Sequence, residues 1–198
     1  HVRSRRQRQM CIRDSDRIDG GIGNDFLNGD DDNDTIYGGD GADTITGGEG
    51  NDALYGNAGN NTISGGNGAD RIDGGINNDI LNGDGGADRI YGGAGTDTIN
   101  GGDGNDRLAG NDGVDTIHGN NDNDDIRGGN GNDILFGDAG DDNIDGQGDD
   151  DTIDGGTGSD TISGDRGNDV IDGGTENDYL NGGQGADTIN GGTGDDVI

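Results

Sequence analysis

Residues 38–46 read GGDGADTIT. Three of the nine are glycine, two are aspartate, and Ile45 is the one sizeable apolar side chain. Alone, the stretch has nothing to build a core from. It is, however, one beat of a longer rhythm. An Ile or Leu recurs every nine residues from Ile18 to Ile198. An Asp stands two places before each, from Asp16 to Asp196, with Asn61 as the single exception. A Gly stands two places after each, from Gly20 to Gly191, without exception. The unit is G-G-x-G-x-D-x-(Ile/Leu)-x, and its positions are numbered one to nine below, with Gly38 at position one.

A fixed internal period is the signature of a repeat architecture. Positions seven to nine, such as Thr44, Ile45 and Thr46, are rich in β-branched residues and predict a short strand. Its central side chain faces one way and its neighbours the other. The first six positions predict a turn, with glycine where φ is positive or backbone must come close. The substitutions agree. Position two is held by Asp30, Asn57, Asp84, Asn111, Asn120, Asp138, Gln147 and Asp165 where Gly is lost, and position four by Asp32, Asn77, Asp122, Asp149 and Glu176. Most are Asn or Asp, the non-glycine residues that best tolerate the left-handed region. Strand, turn, strand, turn makes one coil of two nonapeptides. Stacked coils pair their strands in parallel at roughly 4.8 Å, so about ten coils give a rod on the order of 50 Å long. The expected fold is all-β: a parallel β-solenoid with a thin Ile/Leu core between two sheets. A slower period overlies the first. RIDGGI begins at Arg17 and again at Arg71, and Phe26, Ile80 and Ile134 keep the same offset, so blocks of six repeats look duplicated.

Composition alone suggests disorder. The 198 residues include 49 Gly, no Pro and no Trp; the net charge is −32 and only 24% of the chain is hydrophobic. Such chains bury too little apolar surface to offset conformational entropy. The unbroken phase of Ile and Leu argues against disorder, so something outside the chain must contribute to folding. No apolar run is long enough to span a membrane, no signal-peptide pattern is present, and the single Cys11 cannot form an intrachain disulfide.

The opening HVRSRRQRQMCIRDS, residues 1–15, differs from everything after it, with five of the eleven arginines, the only Cys, the only Met and no Gly. A basic arm for nucleic acid is one reading. A better one is that residues 5–15 resemble a translated frame of a transposase-type sequencing adapter, so that residues 1–15 are not native and both natural ends lie beyond the sequence. Residues 16–198 then carry 42 acids and 6 arginines, a charge of −36, with no lysine. That balance argues against a nucleic-acid partner.

Stacking places Asp43 beside Asp25 on one side and Asn61 on the other. Unpaired carboxylates one strand spacing apart repel. A solvated acidic face is the ordinary reading of such charge, but these acids hold one fixed phase beside turns rich in backbone carbonyls. Hard oxygen donors, flexible geometry and high negative charge describe a calcium site better than a magnesium site. Softer metals are disfavoured, since His118 is the only histidine in the repeats and no cysteine lies there.

At this point GGDGADTIT (38–46), GGEGNDALY (47–55), GGAGTDTIN (92–100) and GGTGSDTIS (155–163) resemble the haemolysin-type calcium-binding nonapeptide of the repeats-in-toxin (RTX) family. The resemblance covers residues 16–198 and implies a parallel β-roll with calcium between stacked turns. The ligands it implies are the carbonyls at positions two and four and the carboxylate at position six, completed by the turn one coil away. For complete turns these are Gly21, Gly23 and Asp25; Gly39, Gly41 and Asp43; Gly48, Gly50 and Asp52; Gly66, Gly68 and Asp70; Gly93, Gly95 and Asp97; Gly102, Gly104 and Asp106; Gly129, Gly131 and Asp133; Gly156, Gly158 and Asp160; Gly183, Gly185 and Asp187; and Gly192, Gly194 and Asp196. Incomplete turns supply Asp34, Asp79, Asp88, Asp115, Asp124, Asp142, Asp151, Asp169 and Asp178. Both members of a stacked pair are complete only for Asp25 with Asp43 and for Asp52 with Asp70, which are expected to be the tightest sites. The turn 56–61 lacks its carboxylate and is expected to bind weakly or not at all. The turn GQGDDD, 146–151, has extra acids that compensate. The resemblance further implies calcium-coupled folding, secretion from Gram-negative bacteria by the type I machinery, and further domains in a larger toxin, protease, lipase or adhesin.

Two other classes compete. The repeats hold no lysine, one histidine, no G-x-S-x-G and no H-E-x-x-H, so an enzyme is not expected within them. A repetitive adhesin or ice-binding solenoid needs a flat ladder of repeated outward residues, and the outward positions vary, for example Arg17, Phe26, Thr35, Ala53, Ile80 and Asp125. The outward Tyr37, Tyr55, Tyr91 and Phe136 read as scattered surface residues, and His118 as exposed and silent.

Overall fold

The computed structural model describes residues 15–198; the adapter-like reading of residues 1–15 falls, but for Ser15, outside them. Twenty strands follow one another: β1 (Arg17–Ile22), β2 (Phe26–Asp31), β3 (Thr35–Asp40), β4 (Thr44–Glu49), β5 (Ala53–Ala58), β6 (Thr62–Asn67), β7 (Arg71–Ile76), β8 (Ile80–Gly85), β9 (Arg89–Gly95), β10 (Thr98–Asp103), β11 (Arg107–Gly113), β12 (Thr116–Asn121), β13 (Asp125–Asn130), β14 (Ile134–Ala139), β15 (Asn143–Gly148), β16 (Thr152–Asp154), β17 (Thr161–Ser163), β18 (Val170–Asp172), β19 (Tyr179–Asn181) and β20 (Thr188–Asn190). Odd strands form one ten-stranded sheet and even strands another, each in sequence order. Every pair is parallel, and partners lie 18 residues apart, as in Ile18 with Ile36 and Leu27 with Ile45. The expected solenoid of two nonapeptides per coil is therefore the fold.

The core is one file of aliphatic side chains from each sheet. The position-eight Ile and Leu from Ile36 to Leu180 are at most 2% exposed, while Ile18, Leu27 and Ile189 in the outer coils are only partly buried. One difference from the sequence reading concerns strand length. In β1 to β15 the ladder runs on from positions seven to nine through positions one to three. In the last coils, position three keeps its pairing as isolated bridges, such as Thr157 with Thr175. The half taken for turn is thus partly ladder, because glycine at position one is extended and leaves its amide and carbonyl free to pair.

The glycines divide by role. Among the described residues, the non-glycine residues with positive φ are the thirteen substitutions at positions two and four, with φ from 66° to 77°. Space is short at all three positions, since a Cβ on Gly39 or Gly41 would strike a carbonyl of the preceding coil, but the residues that replace glycine at positions two and four hold φ at 66–77° rather than the wider glycine values. Position one differs in that a side chain there would strike the buried aspartate of its own turn as well as the backbone of the next coil. A Cβ on Gly38 would stand 2.5 Å from Asp43 Oδ2 and 2.8 Å from the Gly56 carbonyl oxygen. Asn and Asp in the left-handed region meet the demand at positions two and four but cannot make room beside the aspartate, so position one has no substitution.

The outer faces differ. The odd sheet carries a continuous stack along its first five strands. Arg17 lies 4.7 Å over the Tyr37 ring, Tyr37 stacks on Tyr55 with centroids 4.9 Å apart, and Arg71 sits over both Tyr55 and Tyr91 at 5.0 and 5.4 Å. These aromatics are an ordered column rather than scattered surface residues. His118 also departs from expectation: it stacks on Phe136 at 4.4 Å, and its Nδ1 lies 2.9 Å from Asp138 Oδ2. Both departures arise because residues 18 apart become neighbours on one face.

Candidate metal centre

Each turn stacks on the turn one coil away, as the nonapeptide phase requires, and the position-six aspartate bridges the two. Asp43 Oδ1 accepts the backbone N–H of Asp25 at 2.8 Å, and Asp70 Oδ1 accepts that of Asp52 at 2.7 Å. The same bond recurs from Asp34, which accepts from Asp16, to Asp196, which accepts from Asp178. These side chains are buried: Asp34 to Asp178 are at most 3% exposed.

The other carboxylate oxygen has no partner. Among the described residues, seventeen position-six aspartates, from Asp25 to Asp178, have a buried Oδ2 that meets no hydrogen-bond donor. A single buried carboxylate oxygen left in that state is costly. A ladder of them is not a tolerable end state for a folded chain unless a positive charge or proton meets them. Burial raises the pKa values of those from Asp34 to Asp178, against the opposing effect of the N–H bond from the coil before. Asp124 and Asp151 rise to about 8, and Asp70, Asp79, Asp115 and Asp142 to about 7. Neighbouring carboxylates add to the rise, Asp106 and Asp142 beside Asp124 for instance.

Asn61 is the control built into the molecule. It is 1% exposed, and its Oδ1 accepts the Asp43 N–H at 3.0 Å like any aspartate. Where the others have an orphan oxygen, its Nδ2 donates to the Gly59 carbonyl at 3.0 Å. That turn satisfies itself.

The carbonyls at positions two and four are not equivalent. Position-two carbonyls take part in the ladder, as where the Gly156 oxygen accepts the Thr175 N–H at 2.9 Å. They retain a second lone pair. Position-four carbonyls such as those of Gly23 and Gly41 receive no backbone N–H among the described residues, whereas the position-four N–H groups do donate, Gly23 to the Asp40 carbonyl at 2.7 Å. The position-four carbonyl also faces the next coil beside the carboxylate. A Cβ placed on Gly167 would touch the Asp149 carbonyl oxygen and lie 2.9 Å from Asp169 Oδ1, so both oxygens border one gap. Among the described residues no three His, Cys, Asp or Glu side chains converge on a metal position. A cation here would draw on one carboxylate per turn plus carbonyls, the donor set of calcium rather than of zinc or iron. The carboxylate turns Oδ1 toward the position-four carbonyl, while the orphan Oδ2 lies beside the position-one glycine of its own turn and the position-one carbonyl of the next coil, as with Gly38 and Gly56 around Asp43 Oδ2. A carboxylate and carbonyls of adjacent coils fit such an ion.

One contributor escaped the sequence reading. Position five, a variable place in the unit, stitches coils in the opposite direction. Asn24 Oδ1 accepts the Ala42 N–H at 3.0 Å, Asn51 that of Ala69 at 2.9 Å, and Asp141 that of Ser159 at 2.8 Å. Position six reaches back one coil and position five reaches forward, so the turn contacts that have this bond are clasped from both sides. The frequency of Asn and Asp at this place was the available signal.

A family model described as the RTX calcium-binding nonapeptide repeat matches the chain in overlapping segments that run from residue 13 to residue 198, including 13–45, 46–81, 100–135 and 163–198. None of the curated proteins matches the chain. With the repeat phase, the two parallel sheets and the aspartate ladder in place, the match covers nearly the whole length: the chain belongs to the RTX calcium-binding nonapeptide repeat family.

Proposed function

We propose that the stacked turns hold several calcium ions and that this binding is what folds the array, as a module of a larger secreted protein. The observation that carries the reading is the ladder of buried, unpartnered Oδ2 atoms, broken only where Asn61 replaces aspartate. When bound, calcium supplies positive charge and an irregular oxygen shell. The chain supplies the position-six carboxylates and the position-four carbonyls, with position two contributing its second lone pair. The complete pairs Asp25–Asp43 and Asp52–Asp70 are the tightest sites in this reading, the turn 56–61 binds weakly or not at all, and the acids of residues 146–151 offset that turn's two missing glycines. Without the ion, a charge of −36 and a one-file core keep residues 16–198 unfolded. Binding free energy becomes folding free energy. Extracellular calcium modules bind at roughly 10⁻⁴–10⁻³ M, so the array stays open in a calcium-poor cytosol, passes a type I exporter unfolded and closes outside. Circular dichroism should change from coil to β as calcium reaches the millimolar range and revert with chelator. β structure that persists unchanged in chelator would refute the coupling.

A second reading gains something from the even sheet. Position seven there presents Thr44, Thr62, Thr98, Thr116, Thr152 and Thr188 in register, interleaved with Ile80, Ile134 and Val170. This is a more regular surface than the strands show one by one, and it suits adhesion to an ordered surface such as ice. The neighbouring His118–Phe136 stack and the Asp154–Asp172 pair interrupt it. Inhibition of ice recrystallisation by the calcium-loaded chain would favour this reading, and its absence would remove it.

A further inference from the structure

We infer that the coils centred on β5 need the least calcium to close and are the nucleus from which calcium-driven folding spreads along the array. This rests on the calcium-coupled reading and adds a place and an order to it. Three separate features meet at these coils. The first is the neutral turn that follows β5. Asn61 closes it with both ends of its amide bonded, to the Asp43 N–H and the Gly59 carbonyl, so one edge of the coil carries no orphan oxygen. The second lies on the opposite edge, where the turns ending at Asp52 and Asp70 are both complete and are stacked through the Asp52 N–H bond to Asp70 Oδ1 at 2.7 Å. The cation still required there meets a full donor set. The third is the column Arg17, Tyr37, Tyr55, Arg71 and Tyr91, which crosses β1, β3, β5, β7 and β9 with Tyr55 at its middle.

A solenoid has one difficult step. The first coils must order before there are neighbours to stack on, and later coils add to an existing surface. Any device that helps early coils without an ion therefore decides where closure starts. The Arg–Tyr column does this directly, because its contacts run between coils and involve no carboxylate ladder. Its ring faces and guanidinium planes are already occupied by one another, which marks it as a device for joining coils rather than for docking a ligand. The other stack among the described residues, His118 on Phe136, joins only β12 and β14. It sits between turns whose Asp115, Asp124, Asp133 and Asp142 all keep an orphan Oδ2.

The experiment is hydrogen exchange with peptide resolution on the full chain through a calcium titration. Peptides from β3 to β7 should gain protection at a calcium concentration about threefold or more below that needed by peptides from β13 to β17. Asn61→Asp and Tyr55→Ala should each raise the β3–β7 midpoint toward that of the rest, while Tyr55→Phe, which keeps the ring, should leave it low. One common midpoint for all coils, protection that begins in β13–β17, or midpoints unmoved by both disruptive variants would each overturn the inference while leaving calcium-coupled folding intact. Protection of the whole array in chelator would instead overturn the calcium-coupled reading itself.

Discussion

The turns ending at Asp43 and at Asn61 are neighbours on one edge of the solenoid, 18 residues apart and equally buried. Each accepts the same backbone bond from the coil before it. At position six they differ only in the second arm of the side chain. In Asn61 that arm is an amide nitrogen bonded to Gly59; in Asp43 it is an oxygen bonded to nothing. The fold is the same in both, so coil stacking does not require the negative charge. A turn built with asparagine is complete as it stands, and a turn built with aspartate waits for a positive partner. The many aspartates therefore report a ligand, not a structural need of the backbone.

The largest expected test of this contrast is pH without metal. Because burial holds carboxylates such as Asp124 and Asp151 at about 8 and Asp70 and Asp115 at about 7, the folded chain binds more protons than the unfolded one from about pH 4 up to those values. The stability of the metal-free roll then falls as pH rises through this window and is recovered on acidification. In chelator, β structure measured by circular dichroism should grow between pH 8 and pH 5, protons standing in for calcium at the buried aspartates such as Asp70, Asp115, Asp124 and Asp151 and changing nothing at Asn61. No response to acid would mean that the orphan oxygens are not what opposes folding.

Next in size is the contrast between glycine classes. Gly38→Ala should cost about 3 kcal/mol in calcium, since its Cβ meets Asp43 Oδ2 and the Gly56 carbonyl. Gly39→Asn should cost less, about 1–2 kcal/mol, because a Cβ at the φ of 108° that Gly39 adopts would strike the Gly21 carbonyl, and the turn must close to the φ of 70° that Asn57, its partner in register, adopts. Chemical denaturation in saturating calcium separates the two, and equal losses would show that φ rather than space governs position one.

Asp43→Asn converts one kind of turn into the other. Calorimetric titration should find fewer ions bound, and stability in millimolar calcium should fall by about 1 kcal/mol, the mass-action effect of one site at roughly ten times its dissociation constant. Without calcium the same variant should be no less stable than the parent chain. A loss of equal size in both conditions would make the aspartate structural after all. The smallest effect belongs to Asn24→Ala, which removes the acceptor for the Ala42 N–H. About 0.5 kcal/mol is expected, in calcium or in the acid-folded metal-free chain alike, because this clasp involves no ion.

How much of this was legible follows from what the period encodes. The coil length, the pairing of Ile18 with Ile36, the inward file of Ile and Leu and the positive φ at Asp30, Asn77 or Glu176 were all readable, since each depends on residues at fixed spacing along the chain. The reciprocal clasp of position five was not, because its partner is a backbone N–H that leaves no mark on sequence. Nor was the reason for the invariant first glycine, which lies in the room taken by Asp43 Oδ2 beside Gly38. The Tyr37–Tyr55 stack and the His118–Asp138 contact were hidden for a third reason: each residue was read within its own repeat, while its neighbours stand 18 or 20 residues away. The two carbonyls assigned together by the motif parted company because only the ladder shows which one already accepts an N–H.

The alternation of sheets gives the slow period a meaning. Phe26, Ile80 and Ile134 are 54 residues apart, which is three whole coils, and all three lie on even strands; RIDGGI likewise opens β1 and β7, both odd. A duplicated block of six repeats therefore lands with every side chain on the face and edge it came from. A gain of an odd number of repeats would instead exchange the two sheets for all downstream coils, setting arginine columns against threonine rows. Growth of this gene by even numbers of repeats is thus the only arithmetic that lengthens the rod while keeping two chemically distinct sides.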